Sequence, residues 1–154
     1  MHITLLAVGK PKIRASIAWF DAYRTRLPWK LTLHELPESK KDTAAARKRD
    51  EAQRLLARCD ANTRAVLIAL DETGESKTSR EFAAMLGRYA QQGDSHFGFI
   101  IGGPDGLDDT VRTAAHHRLA FGRMTWPHQL ARLMLMEQLY RASTILGNHP
   151  YHRD

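Results

Sequence analysis

The run Ala65-Val66-Leu67-Ile68-Ala69-Leu70 sets the fold class of this chain. An uninterrupted apolar run of this length is typical of a strand that is buried on both faces. Strands of this kind belong to parallel sheets that helices cover from both sides. The sequence therefore predicts a central parallel strand here, with an α/β fold built around it.

Strand and helix patterns alternate on both sides of this run. The predicted strands cover residues 3–8, 31–35, 65–70, 96–101 and, as a short fifth strand, 118–121. The predicted helices cover residues 13–26, 43–58, 78–90, 109–115 and 127–147. This alternation predicts one domain over residues 1–154, with a mostly parallel sheet and helices on both faces.

The composition limits the classes of protein to which this chain can belong. The 154 residues are 43% hydrophobic and 26% charged, as in a folded globular protein. The net charge of +6 fits an acidic partner such as RNA, but charge kept for solubility would explain it equally well. A single cysteine, no membrane-spanning apolar run and no signal-peptide pattern lead us to expect a cytoplasmic protein without a membrane partner.

Three predicted strands end in distinctive residues, and ligands of open α/β sheets bind outside the carboxyl ends of the strands. These segments are Leu70-Asp71-Glu72-Thr73-Gly74, Ile101-Gly102-Gly103-Pro104-Asp105-Gly106-Leu107 and Phe121-Gly122-Arg123-Met124-Thr125-Trp126-Pro127. The glycines of the second segment would let a backbone approach a ligand closely, although a plain tight turn needs the same glycines. Neither the P-loop nor the G-x-G-x-x-G spacing is present, which argues against a phosphate-rich cofactor.

The last predicted helix and the tail behind it carry further candidates. Apolar residues cover more than one face of helix 127–147, so either the core of a monomer or a second subunit must bury them. Glu137 and Arg141 have the spacing of a solvated ion pair. The tail 148–154 contains two histidines, a tyrosine and an arginine, which can stack on a base, pair with phosphate and move protons. We therefore expect the tail to form the substrate-facing lip of a ligand pocket.

The histidines also raise the question of a metal. His128, His149 and His152 are possible ligands, but no cysteine or carboxylate completes a recognisable set around them. We expect no metal.

Four segments in order resemble the RlmH family of SPOUT-class methyltransferases, which methylate N3 of a pseudouridine in large-subunit ribosomal RNA. They are Ile101-Gly102-Gly103-Pro104-Asp105-Gly106-Leu107, Met124-Thr125-Trp126-Pro127-His128-Gln129-Leu130-Ala131-Arg132, Glu137-Gln138-Leu139-Tyr140-Arg141-Ala142 and Asn148-His149-Pro150-Tyr151-His152-Arg153. Leu5-Leu6-Ala7-Val8-Gly9-Lys10 and Leu70-Asp71 match as well. The resemblance covers essentially the whole chain and is weakest over residues 36–64. Trp126 departs from it, because a smaller apolar residue is expected there.

The resemblance implies a C-terminal trefoil knot, a homodimer and S-adenosylmethionine held in the knot. Carried over by position, eight residues would contact this cofactor: Leu70, Gly102, Phe121, Gly122, Arg123, Met124, Thr125 and Trp126.

The same resemblance suggests which residues act on the RNA. Methylation of N3 requires loss of its proton, and His128, His149, His152 and Glu137 are the candidates to accept it. Tyr151 is predicted to contact the target base, with Arg153 beside it in the catalytic group. The predicted RNA contacts are Arg132, Arg141, Tyr151 and Arg153.

The leading hypothesis is an S-adenosylmethionine-dependent methyltransferase acting on large-subunit rRNA in assembled ribosomes. Two alternatives stay open at this point. One is a non-catalytic RNA- or ribosome-binding protein of the same fold. The other is a tRNA methyltransferase, against which the lack of an appended RNA-binding domain argues.

Overall fold

A computed structural model describes residues 1–60 and 65–151 of the chain, and in these residues five strands alternate with five helices. The strands are β1 (His2–Val8), β2 (Lys30–Leu36), β3 (Val66–Ser76), β4 (His96–Ile101) and β5 (His117–Ala120). The helices are α1 (Arg14–Arg26), α2 (Ala44–Asp60), α3 (Ser79–Gln91), α4 (Asp109–Ala114) and α5 (His128–Leu146). Each predicted element is present, with ends shifted by a few residues.

The five strands form one sheet in the order β2-β1-β4-β3-β5. Every strand pairing among the named strands is parallel, and β3 lies between β4 and β5. The predicted parallel sheet is therefore confirmed, and β3 is an interior strand of it, although the central strand of the five is β4. Because all strands run the same way, their carboxyl ends meet at one edge of the sheet, which we call the carboxyl edge.

Helices cover both faces, as predicted. On β1, Ile3, Leu5 and Ala7 face one hydrophobic core and Leu6 and Val8 face another, following the alternation of a strand. The first core packs against α1, α3 and α5, and the second against α2 and α4. Within the described residues, no helix combines the length and the apolar character needed to cross a membrane.

Strand β3 is longer than predicted. The register between β3 and β5 shifts between Leu70 and Glu75, and the chain then pairs again through Ser76. Gly74 makes this return possible, because a Cβ atom there would lie 2.7 Å from the backbone carbon of Arg118. The predicted strand ends at Leu70 because the apolar run stops there, whereas the continuation consists of polar residues.

A stacked pair of histidines lies at the opposite, amino edge of the sheet. The rings of His2 and His96 are 4.4 Å apart and nearly parallel. Nε2 of His2 lies 2.9 Å from Oγ1 of Thr32, and Nε2 of His96 lies 2.9 Å from Oγ1 of Thr4. Burial lowers the pKa of both rings below the ordinary value of 6.5. The charge of Lys30 lowers the pKa of His2 further, and the charge of His2 does the same for His96.

This pair predicts a loss of stability in mild acid. Below about pH 6.5 the unfolded chain takes up protons that the native rings resist, so the free energy of unfolding falls as the pH drops and is fully retained at higher pH. Urea unfolding between about pH 7.5 and pH 5 measures this slope. The double variant His2→Gln/His96→Gln should show a shallower slope, and an unchanged slope would contradict the assignment. Carboxylates such as Asp71, with a pKa below the ordinary 3.8, titrate outside this window.

Candidate functional site

A cleft of about 580 Å³ opens at the carboxyl edge of the sheet. It lies where β4 and β5 end, where β3 becomes irregular after Leu70 and where α5 begins, so the three segments chosen from the sequence meet in one place. Seven of the eight residues predicted to hold a cofactor line it: Leu70, Gly102, Phe121, Gly122, Met124, Thr125 and Trp126. Arg123 does not line the cleft and is exposed. The Arg123 side chain is therefore not placed for the predicted cofactor contact, because it points to the surface while its neighbours line the cleft.

The segment after β4 forms a tight turn that makes one wall of the cleft. The backbone N–H of Gly106 donates to the carbonyl of Gly103 over 3.0 Å, and Gly106 has a φ of +82°. A Cβ atom on Gly102 would lie 2.8 Å from the carbonyl oxygen of Gly106. From the sequence, these glycines could serve either a tight turn or a close approach of the backbone to a ligand. The structure contains the tight turn, and this turn borders the cleft.

A buried carboxylate that the sequence did not point to supports this turn from below. Glu51 of α2 is buried, and its Oε1 accepts the backbone N–H of Ser39 over 2.8 Å. Its Oε2 lies 3.0 Å from the position that a Cβ on Gly103 would take. The sequence signal is weak because Glu51 sits in a helix rich in charged residues.

Two of the acidic groups at the cleft, Asp71 and Asp105, are neutralised by arginine partners. Burial raises the pKa of Asp71, but the hydrogen bonds from Thr73 and Arg112 together outweigh burial, so its pKa lies below the ordinary value. Nε of Arg112 donates to Oδ2 of Asp71 over 2.6 Å. At the rim, Nε of Arg47 donates to Oδ2 of Asp105 over 2.6 Å. Both carboxylates therefore stay ionised near neutral pH and are balanced by arginines.

The segment 121–127 closes another side of the cleft. The indole N–H of Trp126 donates to the carbonyl of Phe121 over 3.0 Å. The hydroxyl of Thr125 donates to the carboxylate of Glu72, which ties the segment to the irregular part of β3. The Trp126 departure from the family pattern thus adds a hydrogen bond that fixes the segment.

His128, the first residue of α5, also lines the cleft. Its Nε2 atom is buried and has no hydrogen-bond partner within the described part of the chain. A Cβ atom on Gly9 would lie 3.2 Å from this nitrogen and 3.1 Å from Oε1 of Glu38. Gly9 is therefore needed as glycine both for its φ of +79° and for the close approach of these two side chains.

The tail lies elsewhere on the same chain. The ring of Tyr151 packs 4.8 Å from that of Tyr140, and its hydroxyl donates to Oε1 of Glu137 over 3.3 Å. The backbone N–H of Tyr151 donates to Nδ1 of His149 over 3.3 Å. No residue of the described tail lines the cleft. Residues 148–151 therefore do not form the predicted lip of the chain's own cleft.

The physical reason is the length of α5, which spans about 28 Å and separates the cleft at its start from the tail at its end. The tail folds back only as far as Glu137. Burial, a hydrogen bond with Tyr23 and the charge of Glu137 raise the pKa of Tyr151 to about 12. The phenol therefore stays protonated and acts as a donor. His152 and Arg153 lie outside the described residues.

Two predictions about arginines on α5 are wrong. Arg132 is only 5% exposed, its Nη2 lies 2.6 Å from Oε1 of Glu35, and its guanidinium lies over the ring of Phe20. It cannot contact RNA without breaking this buried ion pair. The pair of Glu137 and Arg141, with Nη2 2.7 Å from Oε1, is partly buried rather than solvated. It is partly buried because Tyr151 of the returning tail covers Arg141.

Of the three histidines considered as metal ligands, the two that the structure describes, His128 and His149, lie apart. His128 begins α5 and His149 follows its end, so α5 separates them. Among the residues that the structure describes, no three His, Cys, Asp or Glu side chains are grouped to hold a metal ion.

The chain is similar to known proteins over nearly its full length. Residues 1–152 match the family described as "Predicted SPOUT methyltransferase". Two relatives, from Rhodospirillum centenum and Bradyrhizobium diazoefficiens, are named Ribosomal RNA large subunit methyltransferase H and are 46% and 42% identical to it. Each comparison covers 99% of this chain and 99% of the relative. The solved structure of a probable methylase family protein from Haemophilus influenzae has a TM-score of 0.58 at 13% identity, and it covers 99% of this chain and 70% of that chain.

Proposed function

Because the chain belongs to the SPOUT methyltransferases, and within them to the RlmH family, we propose that it methylates N3 of a pseudouridine in large-subunit (23S) rRNA. It is a methyltransferase that uses S-adenosylmethionine, and we infer that it acts on assembled ribosomes in the cytoplasm. The observation that carries the proposal is the cleft at the carboxyl edge, where residues of three family segments meet: Leu70-Asp71, the segment 101–107 and the segment 124–132.

The residues of the cleft fit S-adenosylmethionine. Its volume of about 580 Å³ is that of a small-molecule site. Gly102 allows the turn that walls it, because a Cβ atom there would lie 2.8 Å from the carbonyl oxygen of Gly106. Leu70, Gly102 and the segment 121–126 would hold the cofactor, with the exposed Arg123 contributing through its backbone. The cofactor supplies a methyl group already activated by its sulfonium, so the chain's task is to position the acceptor.

The acceptor nitrogen must lose a proton. His128 is the described histidine that lines the cleft, and its buried Nε2 has no hydrogen-bond partner among the described residues. We assign to His128 the removal of the N3 proton, with His149 and His152 as the candidates from the tail. Tyr151, as a protonated donor, and Arg153 would contact the base and its phosphate, and Arg141 beneath Tyr151 would hold the ring in place.

A homodimer would bring these tail residues to a cleft. A groove of about 610 Å³ between α1 and α5 is lined by Trp19, Tyr23, Leu130 and Met134, and Trp19 is 61% exposed. A second copy covering this apolar groove would remove these side chains from water. Because residues 148–151 do not border the cleft of their own chain, we infer that the tail serves the partner's cleft. We also infer a single domain over residues 1–154 with a trefoil knot, which is consistent with the segment 121–127 crossing the carboxyl edge before α5.

Mixing two inactive variants tests the dimer. Gly102→Val should disable the cleft of its own chain, and Tyr151→Ala should disable the tail that serves the other chain. Random exchange of subunits would then restore about a quarter of the wild-type rate, because half of the dimers would contain one intact pair of cleft and tail. Each variant mixed with itself is the control. If the mixed dimers form and stay inactive, cleft and tail act within one chain.

The function itself is tested by mass mapping of RNA from a strain that lacks this protein. We expect the large-subunit rRNA to lose one methyl group at a pseudouridine, and purified protein with S-adenosylmethionine to restore it on isolated ribosomes. Intact rRNA with altered tRNA would favour the tRNA methyltransferase. Failure of the folded protein to bind S-adenosylmethionine in calorimetry would favour the non-catalytic binding protein.

A further inference from the structure

A basic segment follows β1 at the carboxyl edge, and neither the cofactor cleft nor the tail uses it. Lys10, Lys12 and Arg14 carry three positive charges within five residues, and all three lie on the surface beside α1. Their side chains form no ion pair with any carboxylate in residues 1–60 and 65–151. We call residues 10–14 the basic segment.

Two arginines beside the cleft, Arg47 and Arg112, differ from this segment because each has its own carboxylate. Arg47 pairs with Asp105, and Arg112 pairs with Asp71, both over 2.6 Å. These charges hold the cleft together and are neutralised in doing so. The charges of the basic segment are available to a ligand.

The basic segment is fixed beside the cleft. The backbone N–H of Lys12 donates to Oε1 of Gln129 over 3.2 Å, and Gln129 follows His128, which lines the cleft. Gly9, directly before the segment, lies against His128 on the other side. The segment therefore keeps a constant position relative to the start of α5 and to the opening of the cleft.

The start of α1 adds to the positive potential. Ile13 occupies its N-cap position without a side-chain hydrogen bond, and its first turn contains no acidic residue. The free N–H groups and the dipole of the helix thus reinforce the cations of the basic segment.

The acidic groups nearby do not neutralise the basic segment. Glu38 lies beside Gly9, while Asp21 and Glu35 share a small cavity with Lys10. The carboxylate of Glu35 is already paired with a buried arginine of α5. Within the described part of the chain, neither Glu38 nor Asp21 forms an ion pair with the basic segment.

We propose that the basic segment binds the phosphates of rRNA next to the nucleotide whose base enters the cleft. This inference rests on the proposed function and specifies how the RNA is held. Lysine and arginine contacts with phosphate position a nucleic acid without reading its sequence. With such contacts the cleft receives a base whose backbone is already fixed.

The test compares two triple variants that remove the same charge. Lys10→Gln/Lys12→Gln/Arg14→Gln neutralises the basic segment. Arg24→Gln/Lys30→Gln/Arg88→Gln neutralises three cations near the amino edge, at the ends of α1 and α3 and the start of β2. Binding to isolated ribosomes is measured over a range of salt concentrations, together with kcat and KM for methylation.

We expect the first variant to raise KM for ribosomes about tenfold with kcat little changed. The slope of log affinity against log salt concentration should become less negative by roughly two, since each lost phosphate contact changes this slope by about 0.7–0.9. The control variant should keep the wild-type slope, and both should bind S-adenosylmethionine normally. Equal slopes for the two variants would overturn the proposal. The single variants Lys12→Gln and Arg14→Gln, each with about one third of the effect, replace the triple variant if it fails to fold.

Two further outcomes are distinguishable. If the wild-type protein neither binds nor methylates ribosomes, the proposed function fails. The role of the basic segment then fails with it, because it rests on that function. A photo-crosslinking residue at the exposed neighbouring position, Ala15→p-benzoylphenylalanine, reports the partner directly. Crosslinks to rRNA near the methylated nucleotide support the proposal, whereas crosslinks only to a ribosomal protein would identify an acidic protein as the partner and overturn it.

Discussion

The variant Gly102→Val is expected to methylate ribosomes at least about 100-fold more slowly, since a displacement of about 1 Å in a positioned site costs this much in rate, and to bind S-adenosylmethionine more weakly. A Cβ atom at this position would lie 2.8 Å from the carbonyl oxygen and 2.9 Å from the carbonyl carbon of Gly106, and 3.0 Å from a methyl of Leu107. Two of these three neighbours are backbone atoms, which cannot rotate away as a side chain can. The turn must therefore open, and the wall of the cleft moves with it. Calorimetric titration with S-adenosylmethionine measures the effect, and methylation of ribosomes should be lost in parallel.

Gly93→Ala is a matched control for this variant. Gly93 has a φ of +97° and no atom within 4 Å of its Cβ position, and it lies in the loop before β4 at the amino edge. The substitution should cost about 1–2 kcal/mol of stability through backbone strain, with cofactor binding unchanged. If Gly102→Val bound the cofactor as Gly93→Ala does, the turn after β4 would not be a wall of the cofactor site.

The variant Tyr151→Ala should methylate ribosomes on the order of 10- to 100-fold more slowly, because stacking of an aromatic ring on a base contributes about 1–3 kcal/mol. Cofactor binding should stay normal, because Tyr151 is predicted to contact the target base and is not among the residues predicted to hold the cofactor. The measurement is kcat/KM on isolated ribosomes beside calorimetry with the cofactor. A wild-type rate in a variant that folds and binds the cofactor would eliminate the tail as part of the site.

Tyr151→Phe separates the ring from its hydroxyl. It keeps the packing against Tyr140 and removes only the hydrogen bond to Glu137 and the contact with Tyr23. If stacking is the main role, this variant should stay within a fewfold of the wild-type rate. A loss as large as that of Tyr151→Ala would instead assign the effect to the phenolic proton, which a pKa of about 12 keeps in place at neutral pH.

Much of the cleft can be predicted from local pattern. Apolar runs mark the strands, and the polar and glycine-rich residues that follow them mark the carboxyl edge, so the sequence alone predicts that Leu70, Gly102 and Phe121 lie near one another. This works because parallel strands must all end at the same edge. Glu51 and Glu38 could not be found in this way. Their positions under Gly103 and beside Gly9 depend on how α2 and the loop before it pack, and no periodicity records that packing.

The basic residues show more sharply that the sequence does not record tertiary packing. Arg132, Arg141 and Lys12 are all cations in or near recognisable motifs, and residue type alone suggests phosphate for each. Only the tertiary structure separates them: Arg132 is buried against Glu35, Arg141 is partly covered by Tyr151, and Lys12 is exposed and without an ion pair in the described chain. Burial and pairing depend on which distant segments meet, so they change the role of a charge without changing its identity.

By itself the sequence determined that strands and helices alternate, that the central strand is buried on both faces, and which segments end at the carboxyl edge, because hydrophobic periodicity and turn residues act over a few neighbouring positions. The tertiary structure alone decided that β3 returns to pair with β5 beyond Leu70, that Arg132 faces inward, and that the tail folds back on α5 rather than over its own cleft. These features depend on contacts between residues far apart in the chain and on the length of a helix that holds its two ends about 28 Å apart.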